Sequence, residues 1–229
     1  MSVLYVVPTP IGNLEDITLR ALRVLKEADF ILAEDTRTTG QLLKHYEISN
    51  QLVSHHIHNE HKSIERLIDQ IKASKSAAIV SDAGTPSISD PGFLLVRACI
   101  ENDINVVCLP GASAIIPAIV GCGFPCDSFI FEGFLPHKKG RQTKWKAIAE
   151  EPRSVVLYES PHRLVKALKE MVEYLAPDRQ ICVAREISKM FETFHRGTAA
   201  ELLAYFEETP PKGEIVVVIS AKGKENKDD

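Results

Sequence analysis

Apolar residues in this chain fall into short β-branched runs, separated by longer stretches with helical spacing. "LYVVP" (4–8), "FILAE" (30–34), "AAIVSD" (77–82) and "NVVCLP" (105–110) show little alternation of apolar and polar positions. Runs of that kind are expected of parallel strands covered on both faces. Between them, Leu19, Leu22 and Leu25 share one helical face, as do Ile64, Leu67, Ile68 and Ile71. Strand alternating with helix predicts an α/β domain over residues 1–120. "VGCGFPCD" (120–127) then interrupts the rhythm with glycines and a proline, which marks a domain joint.

The pattern resumes at "SFIFEGF" (128–134), "SVVLYES" (154–160), "QICVARE" (180–186) and "GEIVVVIS" (213–220). Leu164, Leu168, Met171 and Leu175 make a helical stripe, and "FETFHRG" (191–197) is expected as an extra antiparallel strand. Thr198 and Glu201 have the spacing of a capping box for the helix carrying Leu202, Leu203 and Phe206. A second α/β domain is therefore predicted over 121–221, and the polar tail 222–229 is expected to be disordered. Two α/β domains of similar size predict a cleft between them for a small molecule.

Composition narrows the class. The chain has 229 residues, 45% apolar and 25% charged, as in an ordinary globular protein. No apolar run approaches the ~20 residues of a membrane span. The start lacks a basic n-region and a cleavage site, so a cytoplasmic protein without membrane contact is expected. The five cysteines include Cys122 and Cys126 at half-zinc spacing, but no second pair answers them, so buried reduced thiols are expected.

A net charge of −4 argues against a general nucleic-acid coat protein. A local basic run nevertheless stands out. "HKKGRQTKWK" carries Lys138, Lys139, Arg141, Lys144 and Lys146, and no acidic residue lies between Gly133 and Ala149. It is either a contact for RNA, with Trp145 stacking on a base, or a solvated helix face with Trp145 in the core.

Ligands of α/β folds bind beyond the carboxyl ends of the strands, and four such ends are unusual here. "VPTPIGN" (7–13) holds the place of a dinucleotide fingerprint but is not G-x-G-x-x-G, and no P-loop occurs, so the NAD and nucleotide-hydrolase readings fail. "SDAGTPSISDPG" (81–92) is longer than the usual connection of ~2–6 residues. Asp90 and Pro91 are expected to open the next helix, and Asp82 to accept hydrogen bonds from a ligand. "LPGASA" (109–114) offers the backbone N–H groups of Ser113 and Ala114 at a helix start. "AEDTRTT" (33–39) sets Glu34, Asp35 and Arg37 at a strand tip, as a functional cluster or a surface ion-pair group.

With these loops in view, "LYVVPTPIGNLEDITLRAL", "AEDTR", "HIHNE", "SDAGTPSISDPG", "PGASA", "EGFLPHKKGR", "ESPHR" and "AREISK" resemble one family in order, from Val3 to about Ile219. The similarity is to the 16S ribosomal RNA cytidine-2′-O-methyltransferases of the tetrapyrrole methylase superfamily, which are class III S-adenosylmethionine enzymes. It implies a homodimer of two α/β domains that methylates a cytidine ribose in the decoding region of 16S rRNA, within the small ribosomal subunit. It also implies cofactor contacts from Pro10, Ile11 and Gly12, from Asp82, Ala83, Gly84 and Thr85, from Ser113 and Ala114, and near Tyr158. RNA contacts are expected from Lys138, Lys139, Arg141, Arg37 and His58.

Methyl transfer needs alignment and a base. Glu159 or Glu186 is expected as the base, with Arg163 and Arg185 holding phosphate or balancing the carboxylates. The alternative makes Arg163–Glu159 and Arg185–Glu186 buried structural pairs. His55, His56, His58 and His61 include helical ligand spacing, but methyl transfer needs no Lewis acid, and no metal is expected. Two rival readings remain: a sister enzyme methylating a tetrapyrrole-like small molecule, and a non-catalytic RNA-binding assembly factor.

Overall fold

The computed structural model describes residues 2–56 and 60–223, with the side chains of 60–63 left out of that description. His58, the His61 side chain and the tail over 224–229 therefore lie outside the described residues. The chain divides into two compact units, Met1–Ser113 and Ala114–Asp229, each built on its own five-stranded sheet.

The first unit runs β1 (Val3–Val6), α1 (Leu19–Glu27), β2 (Phe30–Ala33), α2 (Thr36–His45), β3 (Leu52–Ser54), α3 (Glu60–Lys72), β4 (Ser76–Val80), α4 (Phe93–Glu101) and β5 (Asn105–Cys108). The strand order is β3-β2-β4-β1-β5 and every pairing is parallel. Parallel neighbours need crossover connections, which the intervening helices supply. All the carboxyl ends therefore fall on one edge. One face of the sheet buries Leu4, Phe30 and Ile79 against Leu67 and Ile71 of α3 and Leu95 of α4. The other buries Ile31, Ala33 and Ala78 against Leu25 of α1 and Leu43 of α2. Burial on both faces is why these strands read as apolar runs without alternation.

Asp90 does not open α4. The helix begins at Phe93 behind Gly92, which sits at φ +129 and supplies no side-chain cap. A Cβ on Gly92 would lie 2.7 Å from Ser87 Oγ and 3.1 Å from Ile79 Cδ1, so the turn just before the helix takes only glycine.

The second unit runs α5 (Ile115–Gly121), β6 (Phe129–Phe134), α6 (Arg141–Glu150), β7 (Ser154–Glu159), α7 (Pro161–Tyr174), β8 (Gln180–Arg185), β9 (Thr193–Thr198), α8 (Ala199–Glu208) and β10 (Ile215–Ile219). Its order is β6-β7-β10-β8-β9, with β6–β7 parallel and the other pairings antiparallel. Strands β6, β7 and β8 thus end on the edge where β9 and β10 begin.

Ser160 caps α7 with Pro161 in its first turn, and Thr198 and Glu201 form the expected reciprocal box at α8. Trp145 and Ile148 of α6, Leu164 and Met171 of α7 and Phe206 of α8 pack on one face of the sheet. Cys99, Cys122 and Cys182 are buried, but Cys108 and Cys126 are exposed, against the expectation that all are interior. No helix among the described residues is long and apolar enough to cross a membrane.

Candidate functional site

On the first unit the connection after β4 fastens its neighbours. Thr9 and Gly84 exchange backbone hydrogen bonds of 2.9 Å each way, joining the loop after β1 to the loop after β4. Thr9 Oγ1, itself buried, donates to the Ser81 carbonyl at 3.0 Å. Thr85 Oγ1 donates to the Ala112 carbonyl at 3.1 Å, which ties in the loop after β5. The Asp35 N–H donates to Asp82 Oδ1 at 3.2 Å, and the Asp82 N–H to Glu34 Oε2 at 3.4 Å, which ties in β2. Gly84 adopts φ +79, a left-handed turn that glycine enters without cost. These ties explain the length of the loop, since it must reach three neighbours.

A hollow of about 290 Å³ opens beside these loops, lined by Thr9, Pro10, Gly12, Ser81 and Asp82 and by Thr38, Thr39, Leu42 and His45 of α2. Small residues allow close approach of a planar base, and the exposed Asp82 carboxylate can accept from ribose hydroxyls. That acceptor and the small residues beside it are what would suit a nucleoside here.

The electrostatics of this edge are negative. Burial, followed by repulsion from Glu34 and Asp82, pushes the Asp90 carboxyl up to about 6. Burial also raises Glu34 and Asp82. Asp35 goes the other way, to about 2, because the Arg37 guanidinium grips it at 2.6 Å.

On the second unit the strand ends carry ion pairs. Glu159 closes β7 and is 5% exposed. Its Oε1 accepts from Arg163 Nη2 at 2.7 Å and from the Ser160 N–H at 2.8 Å, and its Oε2 faces Arg141 Nη2 at 3.6 Å. Arg141 is 4% exposed and also binds Glu170 at 2.7 Å, while Trp145 is fully buried and its indole N–H donates to Glu170 at 3.0 Å. This corrects the RNA role expected of Arg141 and the stacking role considered for Trp145. Both are interior, where the Glu170 carboxylate accepts from the Arg141 Nε and the Trp145 indole. Lys138 and Lys139 stay exposed, and Lys144 pairs with Glu132 at 2.5 Å.

At the end of β8, Arg185 and Glu186 do not form the structural pair of the alternative reading but take other partners. Arg185 donates to the carbonyls of Phe191 at 2.8 Å and Lys212 at 3.1 Å and to Thr193 Oγ1 at 3.2 Å. Glu186 adopts φ +53, and its Oε1 accepts from Lys189 Nζ at 2.9 Å and from the Glu214 N–H at 2.8 Å. A Cβ on Gly213 would overlap this carboxyl. Burial alone would raise Glu186, but the Glu214 N–H and the Lys189 ammonium outweigh it and hold the group below the usual carboxylate range.

Comparison with known proteins agrees with this architecture. The family model of Tetrapyrrole (Corrin/Porphyrin) Methylases matches residues 3–203. The chain belongs to the tetrapyrrole methylase family. It is 46% identical over 228 residues to a Synechocystis sp. protein named Ribosomal RNA small subunit methyltransferase I, covering 99% of this chain and 82% of that one. It is 50% identical over 221 residues to the protein of the same name from Streptococcus pyogenes serotype M1, covering 95% and 76%. The solved uroporphyrin-III C-methyl transferase of Thermus thermophilus, complexed with S-adenyl homocysteine, shares the fold at a TM-score of 0.67. That pair is 17% identical, over 95% of this chain and 96% of the other.

In this tetrapyrrole methylase family member, Pro10, Gly12 and Asp82 line the same hollow, and Gly84 and Thr85 lie in the loops tied to it. Ser113 ends the first unit and Ala114 stands at the start of α5. Tyr158, in the second unit, packs against the Phe131 and Phe134 rings at the end of β7. Sequence reasoning missed the ties through Thr9 and Ser81. A threonine held between two prolines was the available signal, but a backbone partner 75 residues away leaves none.

Proposed function

We propose that this chain transfers the methyl group of S-adenosylmethionine to the ribose 2′-hydroxyl of a cytidine in 16S ribosomal RNA. On this reading it acts on the small ribosomal subunit, in the cytoplasm and as a homodimer. The observation that carries the reading is identity of 46% and 50%, over nearly the whole chain, with proteins named Ribosomal RNA small subunit methyltransferase I.

The cofactor supplies an electrophilic methyl on a sulfonium. In the first unit Pro10, Ile11, Gly12 and the loop from Asp82 to Thr85 cradle the nucleoside, with Asp82 accepting from ribose hydroxyls. Ser113, Ala114 and Tyr158 are further contacts. Glu34, Asp35, Asp82 and Asp90 outnumber the nearby Arg37, and an edge of that sign favours a sulfonium over a phosphate. Arg37 is thus proposed as an RNA contact only at the rim.

In the second unit Lys138, Lys139 and Arg163 hold the RNA backbone. Alignment of oxygen, methyl and sulfur supplies the larger part of catalysis, about 7–11 kcal/mol. A positioned base adds about 10²–10⁴-fold. Glu186 serves as that base, a weak one because its partners hold it below the usual carboxylate range: the Lys189 ammonium and the Glu214 N–H bond Oε1, and Oε2 would take the proton. Glu159, held between two guanidinium groups, acts by positioning Arg163.

The test is transfer of label from methyl-labelled S-adenosylmethionine to small subunits from cells that lack the modification. Digestion of the 16S rRNA should release the label as 2′-O-methylcytidine. Label on a tetrapyrrole in place of RNA, or no label at all, overturns the reading.

A further inference from the structure

The end of β6 is built to turn one aromatic ring outward. Along a regular strand, residues three apart face opposite sides of the sheet. Here the pairing steps from Phe131↔Val156 to Gly133↔Leu157, so Glu132 is an extra residue, and Gly133 adopts φ +62 to accommodate it. The bulge shifts the alternation by one. Ile130 and Leu135 both pack into the core, and Phe131 and Phe134 both reach the Tyr158 ring on the other face. Phe134 packs at a tilt of 57° against Tyr158 with ring centroids 5.5 Å apart, and the Arg163 guanidinium lies 5.8 Å from its centroid. Arg163 is fixed in turn by Glu159. A ring backed by another ring and by a pinned cation is nevertheless 53% exposed.

An exposed aromatic alone says little, and Phe191 is more exposed at 67%. The surroundings differ. Phe191 stands beside Glu192 in the loop that carries Glu186 and whose Lys189 also pairs with Glu214, whereas Phe134 leads into the acid-free run bearing exposed Lys138 and Lys139. A flat π-face next to flexible cations is the arrangement that binds an unstacked nucleobase and its flanking phosphates.

We propose that Phe134 is the stacking platform for an unpaired nucleobase of the RNA substrate, with Lys138 and Lys139 engaging the phosphates beside that base. This rests on the reading of the chain as an RNA methyltransferase. Phe134 sets the position of the strand and takes no part in methyl transfer.

The experiment is steady-state methylation of small subunits by Phe134→Ala, Phe134→Leu and Phe134→Tyr, with calorimetric titration of each by S-adenosylhomocysteine. Alanine and leucine should raise KM for the subunit about ten- to hundredfold. Tyrosine should restore it, and S-adenosylhomocysteine affinity should stay at the unaltered value in all three. Leucine keeps apolar bulk and loses the π-face, so rescue by leucine would overturn the proposal, as would an unchanged KM in the alanine variant. A parallel loss of S-adenosylhomocysteine affinity would also overturn it, by making Phe134 a cofactor contact. Failure of the underlying reading shows differently, as unlabelled RNA with the unaltered chain.

Discussion

The two units close their strand ends by different means. In the first, the loops after β1, β2, β4 and β5 are tied mainly through backbone groups and threonine hydroxyls, as in the Thr9–Gly84 and Thr85–Ala112 bonds. In the second, the ends of β7 and β8 are held by charged side chains, Arg141–Glu159–Arg163 and Lys189–Glu186. Backbone ties leave few protruding side chains and a surface that a ligand can approach closely. Ion-pair ties leave charged groups oriented, as handling of a polyanion and a proton requires. An all-parallel sheet gathers its strand tips and their loops on one edge. A mixed sheet puts strand starts there as well, such as Gly213 and Glu214 ahead of β10 and Thr193 at the start of β9, and these supply partners for Glu186 and Arg185.

Substitutions can break this contrast, beginning with the largest effect. Glu186→Gln should lower kcat by about 10²–10⁴-fold in the methyl-transfer assay while S-adenosylhomocysteine still binds normally. Glu159→Ala removes one of two carboxylates from the buried Arg141 and should cost about 3–5 kcal/mol of unfolding free energy in urea titration. The corresponding change in the first unit is milder. Thr85→Val removes one neutral hydrogen bond, should cost about 1 kcal/mol in the same titration, and should weaken S-adenosylhomocysteine binding by loosening the loop.

The smallest effect is a pH dependence. The folded Asp90 carboxyl holds its proton up to about 6, above its unfolded value near 4, so its favourable contribution is complete below about pH 4. That contribution is lost as the pH rises through about 6, where the carboxylate forms beside Glu34 and Asp82. Asp90→Asn should therefore melt with the unaltered chain near pH 4 and a few degrees above it at pH 8. A lower melting temperature at pH 8 would contradict this.

Much of the architecture was readable, because burial on both faces writes itself into runs such as "FILA" and "AAIV" and caps write themselves into Ser160-Pro161 and Thr198–Glu201. The failures come from packing partners that the local pattern does not name. Arg141, Trp145 and Ile148 stand at the i, i+4, i+7 spacing of a core-facing helix, but the count of lysines and arginines around them masked it. Glu170, which binds the first two, lies on α7. Asp90-Pro91 has the form of a helix start, but the close packing of Gly92 on Ser87 and Ile79 moves the start to Phe93. The bulge that turns Phe134 outward depends on pairing with β7, and only Gly133 hints at it.

The central proposal is a division of labour, with the cofactor held chiefly by the loops of the first unit and the RNA by the basic surface of the second. Calorimetric titration with S-adenosylhomocysteine tests it on Asp82→Asn and on Lys138→Gln/Lys139→Gln. The account predicts at least a tenfold loss of affinity for the first variant and the unaltered value for the second. Equal affinity in Asp82→Asn, or a loss confined to the lysine variant, would contradict it.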